Sequence, residues 1–423
     1  MKSFIKLDST ESTNGVVNIH FSTSDNLNKY FNKKIFIYEC KYCEHIPISI
    51  LNIPFVTNIL PIIWLTNSVL EIDELDKTFY ESISEFKKGY IRMYPQLAFK
   101  GSIITKEIVS NTYQVEKNLV LFSGGIDAIC TVLRHINEKL SLLTLWGSAD
   151  FPIDDYKGWE IHWNDINYNI KQLNLSCDYI KTNFCDFIPI WGKNLRGLVK
   201  PAHAEWWHDF QHGIGILGHA APYAYIHKIG TVYIASSYDA SRKPYTCASD
   251  PTIDNYVKFG NTKVVHDGYE WNRQDKIRFI AEKIKERDLK FKIHVCLRQY
   301  QLENCCHCEK CYRTILGLIA EGLSPDQYGF NIKSLDIKNM FSDLKYNIFI
   351  NDDKKIVYKK IQERIIENQK NIPNKNIVKW FTDTDFDKIN NNLPKYYKRC
   401  KNFVVINTRK FIGRLLRSLK IIK

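Results

Sequence analysis

The stretch "NLVLFSGGIDAICTVLRHINEKL", residues 118–140, decides how the rest of the chain is read. Leu119 to Phe122 read as a buried strand, Ser123-Gly124-Gly125 as a turn, and the segment opening near Ala128 as a helix. After a strand, two glycines allow positive φ and bring successive N–H groups up to an anion with no Cβ in the way. The helix start adds its positive end to the same spot. Ser123 then offers a hydroxyl hydrogen, and Asp127 a carboxylate placed to hold the Mg²⁺ that accompanies pyrophosphate. By itself, a plain serine–glycine turn between two core elements would read the same way. No Gly-Lys-Ser/Thr follows, which disfavours a kinase-type P-loop.

Outward from this stretch, from about residue 113 to 322, strand-like runs ("NLVLF", "LLTLW", "TVYIAS") alternate with helical patterns such as "DKIRFIAEKIKER". Such alternation predicts an α/β domain with a parallel sheet covered by helices. Residues 1–112 read as a mixed α/β extension, with a strand at "KKIFIYEC" and an amphipathic helix around "DELDKTFYESISEFKKGYIRMY", and without a catalytic cluster. Residues 323–423 shift to Lys, Asn, Asp and Ile and read as a basic helical region. It ends in "RKFIGRLLRSLKIIK", where Phe411, Ile412, Leu415, Leu416, Leu419 and Ile422 share one helical face. That face suits a membrane surface, a partner, or the protein's own core.

At 423 residues the chain is long enough for two or three domains, and its composition is that of a folded globular protein. The formal net charge of +13 favours phosphate-bearing partners without naming one. "MKSFIKLDSTESTNGVV" lacks the cationic, apolar and small-residue sequence of a leader, so a cytoplasmic location is expected. The apolar run "ILNIPFVTNILPIIWLTNSVL", residues 50–70, approaches the length of a membrane span. Its Pro54, Pro61 and asparagines point instead to buried helical pieces broken at the prolines.

Of the twelve cysteines, five lie at 296, 305, 306, 308 and 311. In a reducing compartment such clustering argues for metal rather than disulfides. Cys296, Cys305, Cys308 and Cys311 are spaced C-x8-C-x2-C-x2-C, and four thiolates complete a tetrahedral zinc site. Cys306 and His307 lie in the same turn as substitute ligands, and an iron–sulfur cluster is the competing occupant. With no open coordination position, the zinc is expected to be structural. Cys40 and Cys43 form a lone C-x2-C and read as ordinary thiols.

"LFSGGIDA" resembles the PP-loop of the ATP pyrophosphatase superfamily, whose members cleave ATP between the α- and β-phosphates. The resemblance implies that Ser123, Gly124, Gly125 and Asp127 grip pyrophosphate, that Ser123 and Asp127 are catalytic, and that ATP and Mg²⁺ are required. Ala128 stands where the family has Ser or Thr. Loop and cysteine cluster together, about 170 residues apart, are similar to the QueC-like (7-cyano-7-deazaguanine synthase-like) family over residues 117 to about 315. That similarity implies a PP-loop domain of the adenine nucleotide alpha hydrolase-like type, with a structural four-cysteine zinc site. It also implies an AMP-forming ligase that activates a carboxylate or amide of a deazapurine-like substrate for ammonia or an amine, in a defence or modification pathway.

Between the motifs, Trp206, Trp207, Tyr223 and Tyr225 offer stacking faces, although burial in a core explains each singly. His203, His208, His212 and His219 could move protons; His208 and His212, four apart, have no third ligand in view. Ser236, Ser237 and Asp239 follow a strand and belong at the carboxyl edge of the sheet, with Arg242 and Lys243 just after as phosphate or carboxylate contacts. Arg273 and Lys276 stand near another helix start. Two other readings stay open: a PP-loop amidotransferase for a sugar or other small acceptor, and a non-catalytic ATP-binding subunit. Expected partners are a small base-like substrate, a protein from the same operon, a membrane or partner surface for the C-terminal helix, and a second copy of the chain.

Overall fold

A computed structural model describes residues 3–242, 246–296, 303–332, 334–373 and 375–392. The chain forms two compact units, one of residues 1–305 with 327–329, the other of residues 306–326 with 330–423.

The first unit is built on an eleven-stranded sheet, counted among the described residues, in the order β10-β11-β9-β6-β7-β8-β3-β2-β1-β4-β5. Its strands are β1 (Phe4–Thr13), β2 (Val16–Thr23), β3 (Ile35–Glu39), β4 (Val69–Asp76), β5 (Ser102–Val109), β6 (Lys117–Leu121), β7 (Leu140–Trp146), β8 (Cys177–Thr182), β9 (Ile229–Ala235), β10 (Lys258–Phe259) and β11 (Thr262–Asp267). The sheet is mostly parallel, and β11, β9, β6, β7 and β8 are parallel throughout. Within this run the chain order reads 3-2-1-4-5 from β8 to β11, a Rossmann-like arrangement whose direction of winding reverses between β6 and β9. Strand β7 is buried along its whole length, as a sheet covered on both faces requires. The α/β class, the parallel sheet and the strands expected at "NLVLF", "LLTLW" and "TVYIAS" are therefore present.

The strands of residues 4–109 belong to the same sheet. β3 pairs antiparallel with β8, and Asn183 extends the seam: Ile37 N donates to its Oδ1 at 2.9 Å, and its Nδ2 donates to Ile35 O at 3.0 Å. The helix expected around residues 73–94 begins only at Lys77, because Asp73 to Asp76 complete β4. Asp76 then caps the helix Lys77–Met93, accepting from Phe79 N at 2.9 Å.

Residues 53–66 form one buried helix that continues through Pro61 instead of breaking there. Ile53 to Trp64 are all buried, so packing on every side outweighs the ring's local cost. It lies against the helix His212–His227 in close backbone approach: a Cβ on Gly218 would fall 2.0 Å from Thr57 Oγ1. Gln211 Nε2 donates to Asn58 Oδ1 at 2.8 Å in the same interface. Among the described residues no helix is long and apolar enough to cross a membrane.

The second unit is helical over its described residues, with helices Glu309–Ala320, Ser334–Tyr346, Asp352–Glu367 and Lys375–Thr382. Tyr358, Phe381 and Phe386 form its aromatic core, and Arg364 donates to both oxygens of the buried Glu321 at 2.8 and 2.9 Å. The amphipathic segment 409–423 lies outside the described residues.

Candidate functional site

The first unit's site is built where the sheet reverses. β6 runs into buried Phe122; Ser123 is exposed, and Gly124 has φ +69°, a left-handed turn that favours glycine. A Cβ on Gly124 would meet nothing within 4 Å, so the turn has open space on that side. Gly125 caps the helix Ile126–Arg134, and Asp127 lies in its first turn. His294 N donates to Gly124 O at 3.1 Å, tying the loop to the segment that leads to Cys296.

Asp127 is the convergence point. Arg273 Nη1 donates to its Oδ2 at 3.0 Å, and Lys276 Nζ lies 3.4 Å from its Oδ1. Both cations come from the helix Arg273–Arg287, whose start is fixed by a capping box between Asn272 and Asp275. Lys276 is only 2 % exposed, and its ammonium also donates to the carbonyl of Ser236, the residue after β9. Withdrawing an ammonium from water costs several kcal/mol, which this carboxylate and carbonyl offset. In sequence Arg273 and Lys276 carry little weight, because they lie nearly 150 residues from the loop; only the β9–β6 neighbourhood brings them there. Their local signal is a helix start with two cations on one face.

Around Asp127 lies a second network. Asp267, at the end of β11, accepts from Thr131 Oγ1 at 2.8 Å, pairs with Arg134 at 3.3 Å and lies 3.1 Å from His135 Nε2. His135 Nδ1 is 2.6 Å from Glu138, and its ring stacks on Tyr233 at 3.8 Å. Burial works against a charge on His135, but the hydrogen bonds with Asp267 and Glu138 outweigh it and hold its pKa above the ordinary value. On the loop's other side, Phe151 stacks on His162 at 3.9 Å, with His294 about 6 Å from both rings. Burial pushes the His162 imidazole down to about 3, so it stays neutral.

Of the remaining candidates, Ser236 is fully buried and Ser237 exposed. Asp239 Oδ1 accepts from Ser241 N at 3.0 Å, which commits it to its own turn. The Arg242 guanidinium lies over the Tyr238 ring at 5.0 Å. Lys243 is outside the described residues. In the middle segment Trp206, Tyr223 and His219 are core: Trp206 Nε1 donates to Gln211 Oε1 at 2.7 Å, Tyr223 hydroxyl to Asp178 at 3.1 Å, and burial pushes His219 down to about 4. His208 Nε2 is 3.2 Å from Thr246 O, away from His212 as a metal partner.

Cys296, Cys305, Cys308 and Cys311 bring their Sγ atoms within 4.8 Å of one another. Tetrahedral zinc–thiolate bonds of about 2.3 Å put sulfurs about 3.8 Å apart, so these four thiols fit a metal ion such as zinc. Cys308 and Cys311 are 3.5 Å apart, far beyond a disulfide bond. Asn304 prepares the site: its Oδ1 accepts from Val295 N at 3.0 Å, and its Nδ2 donates to Ile293 O at 2.6 Å, which holds Cys296 beside Cys305. Cys308 caps the helix Glu309–Ala320 and Cys311 lies in its first turn. Cys306 takes a left-handed backbone, φ 53°, and with His307 stands outside the cluster. Cys40 and Cys43 are buried, which pushes their thiols up to about 12 and about 11.

No protein-family model, curated protein or solved structure matches the chain.

Proposed function

We propose that this chain is an ATP-dependent, AMP-forming ligase of the PP-loop, QueC-like type. It adenylates a carboxylate or amide on a small deazapurine-like molecule for attack by ammonia or an amine. The observation that carries the reading is the convergence at the reversal of the sheet: a Ser-Gly-Gly-x-Asp turn, a helix N-terminus, and two cations held on the turn's carboxylate.

In this reading the backbone N–H groups of the turn and the Ser123 hydroxyl bind the β- and γ-phosphates. Asp127 is the residue that would hold Mg²⁺; one carboxylate suits an ion that keeps water and phosphate oxygens as its other ligands. Bound there, Mg²⁺ supplies charge neutralisation of the phosphates. Arg273 and Lys276 stabilise the negative charge that develops on the departing pyrophosphate. Cys296, Cys305, Cys308 and Cys311 would hold structural zinc, whose charge offsets four thiolates and fixes the backbone around them.

The test is chromatography of ATP incubated with the protein, Mg²⁺, ammonium and 7-carboxy-7-deazaguanine. AMP together with an amide or nitrile of the base is the expected result. ATP left intact, with the base unchanged, counts against the ligase.

A further inference from the structure

Asp127 has both carboxylate oxygens engaged: Oδ2 accepts from Arg273 Nη1 at 3.0 Å, and Lys276 Nζ stands 3.4 Å from Oδ1. One carboxylate against two cations leaves this triad with a net positive charge. The positive end of the helix Ile126–Arg134 and the N–H groups of the Ser123-Gly124-Gly125 turn add to it at the same place. The next carboxylate, Asp267, is itself occupied: it accepts from Thr131 Oγ1 at 2.8 Å, pairs with Arg134 at 3.3 Å and lies 3.1 Å from His135 Nε2. Glu270, paired with Arg134 at 2.6 Å, is more than half exposed and screened by water.

This field selects by charge. A divalent ion that ligates either oxygen of Asp127 has a cation as its immediate neighbour, and like charges at that range repel. A polyphosphate meets the opposite field. The two cations are not equally held. Lys276 is almost fully buried, and its ammonium also donates to the carbonyl of Ser236. Gly268, at φ +78°, walls it in: a Cβ there would stand 3.4 Å from Lys276 Cε. Arg273 is the first residue of the helix Arg273–Arg287, and its side chain is 14 % exposed. Of the two, Arg273 is therefore the one placed to exchange Asp127 for another anion.

We propose that Arg273 decides what Asp127 accepts, so that the site refuses a free divalent ion and takes one only together with a polyphosphate. The proposal rests on the ligase reading above and deepens it. Phosphate oxygens draw the Arg273 guanidinium off Oδ2, which is released to the ion that travels with the nucleotide, while Lys276 stays on Oδ1. Ion and nucleotide are then linked, each raising the affinity for the other.

Mn²⁺, followed by electron paramagnetic resonance on the full chain, tests this. Without nucleotide, wild type and Asp127→Asn should bind Mn²⁺ equally. Arg273→Gln should gain a site at least about tenfold tighter than any in wild type, and adding Asp127→Asn to it should remove that site. Arg273→Lys, which keeps the charge, should not gain it. Asp127-dependent Mn²⁺ binding in wild type without nucleotide, or no gain in a folded Arg273→Gln, overturns the proposal and leaves the ligase reading standing. A second measurement needs no variant. In wild type, Mn²⁺ alone should leave the amide resonances of Gly124 and Gly125 sharp, and adding α,β-methylene-ATP, which resists cleavage between its α- and β-phosphates, should broaden them. Broadening by Mn²⁺ alone rules out the proposal even if the variants fail to fold. Failure of wild type to bind the labelled analogue in equilibrium dialysis, with Mn²⁺ present, overturns both readings.

Discussion

Asp127 is a carboxylate between two cations, one of them almost fully buried, and its replacement has two separable effects. Asp127→Asn should abolish AMP formation, a fall of at least about 100-fold. It should also lower stability by about 1–3 kcal/mol, because Lys276 and Arg273 each lose a charged partner. Denaturant melts alongside the ATP assay separate the two effects. His135 offers a test in pH. Its folded pKa is raised by Asp267 and Glu138 against the opposing effect of burial, so its contribution is fully present below the unfolded value of about 6.5. That contribution is lost as pH rises through the folded value. His135→Gln should therefore flatten the decline in wild-type stability above about pH 6.5, as read by urea midpoints across about pH 6–8.5. An unaltered slope assigns the decline to other groups.

At the scale of elements, the contact of helices Ile53–Thr66 and His212–His227 depends on the missing side chain of Gly218. Gly218→Ala places a methyl group inside contact distance of Thr57, and the overpacking should cost about 1–3 kcal/mol. Thr57→Ala in the same chain should restore part of it; denaturation of the two variants and the double variant checks the coupling. The sequence around Pro61 suggests a break, and the helix runs on because its neighbours bury it on all sides. Local propensity loses there to tertiary packing, as it does where residues 73–76 join β4 instead of beginning the next helix.

For the whole molecule, four thiols within 4.8 Å of each other are costly neighbours without a metal, since any thiolates among them repel. Cys308→Ser should reduce zinc content, measured by plasma mass spectrometry, from about one per chain toward zero, and should lower the melting temperature. A zinc-free variant with the wild-type melting temperature would contradict a structural role. The cluster is legible in the sequence because three of its ligands sit in one turn, where spacing alone dictates convergence. Its assembly with Cys296 depends on Asn304, a residue with no motif to mark it.

What the chain specifies without its fold are the parts governed by neighbours in sequence: the strand–turn–helix at residues 118–140, the alternation that demands a parallel sheet, and the C-x2-C-x2-C turn. Periodicity, glycine freedom and ligand spacing are local properties, and a short segment carries each of them. Two contacts are products of the fold: Arg273 and Lys276 meeting Asp127, and the Lys276 ammonium meeting the carbonyl of Ser236. They exist because β6 and β9 lie side by side although they are far apart in the chain. Strand order is set by the total burial the sheet achieves, a property of all its strands at once that no single segment encodes.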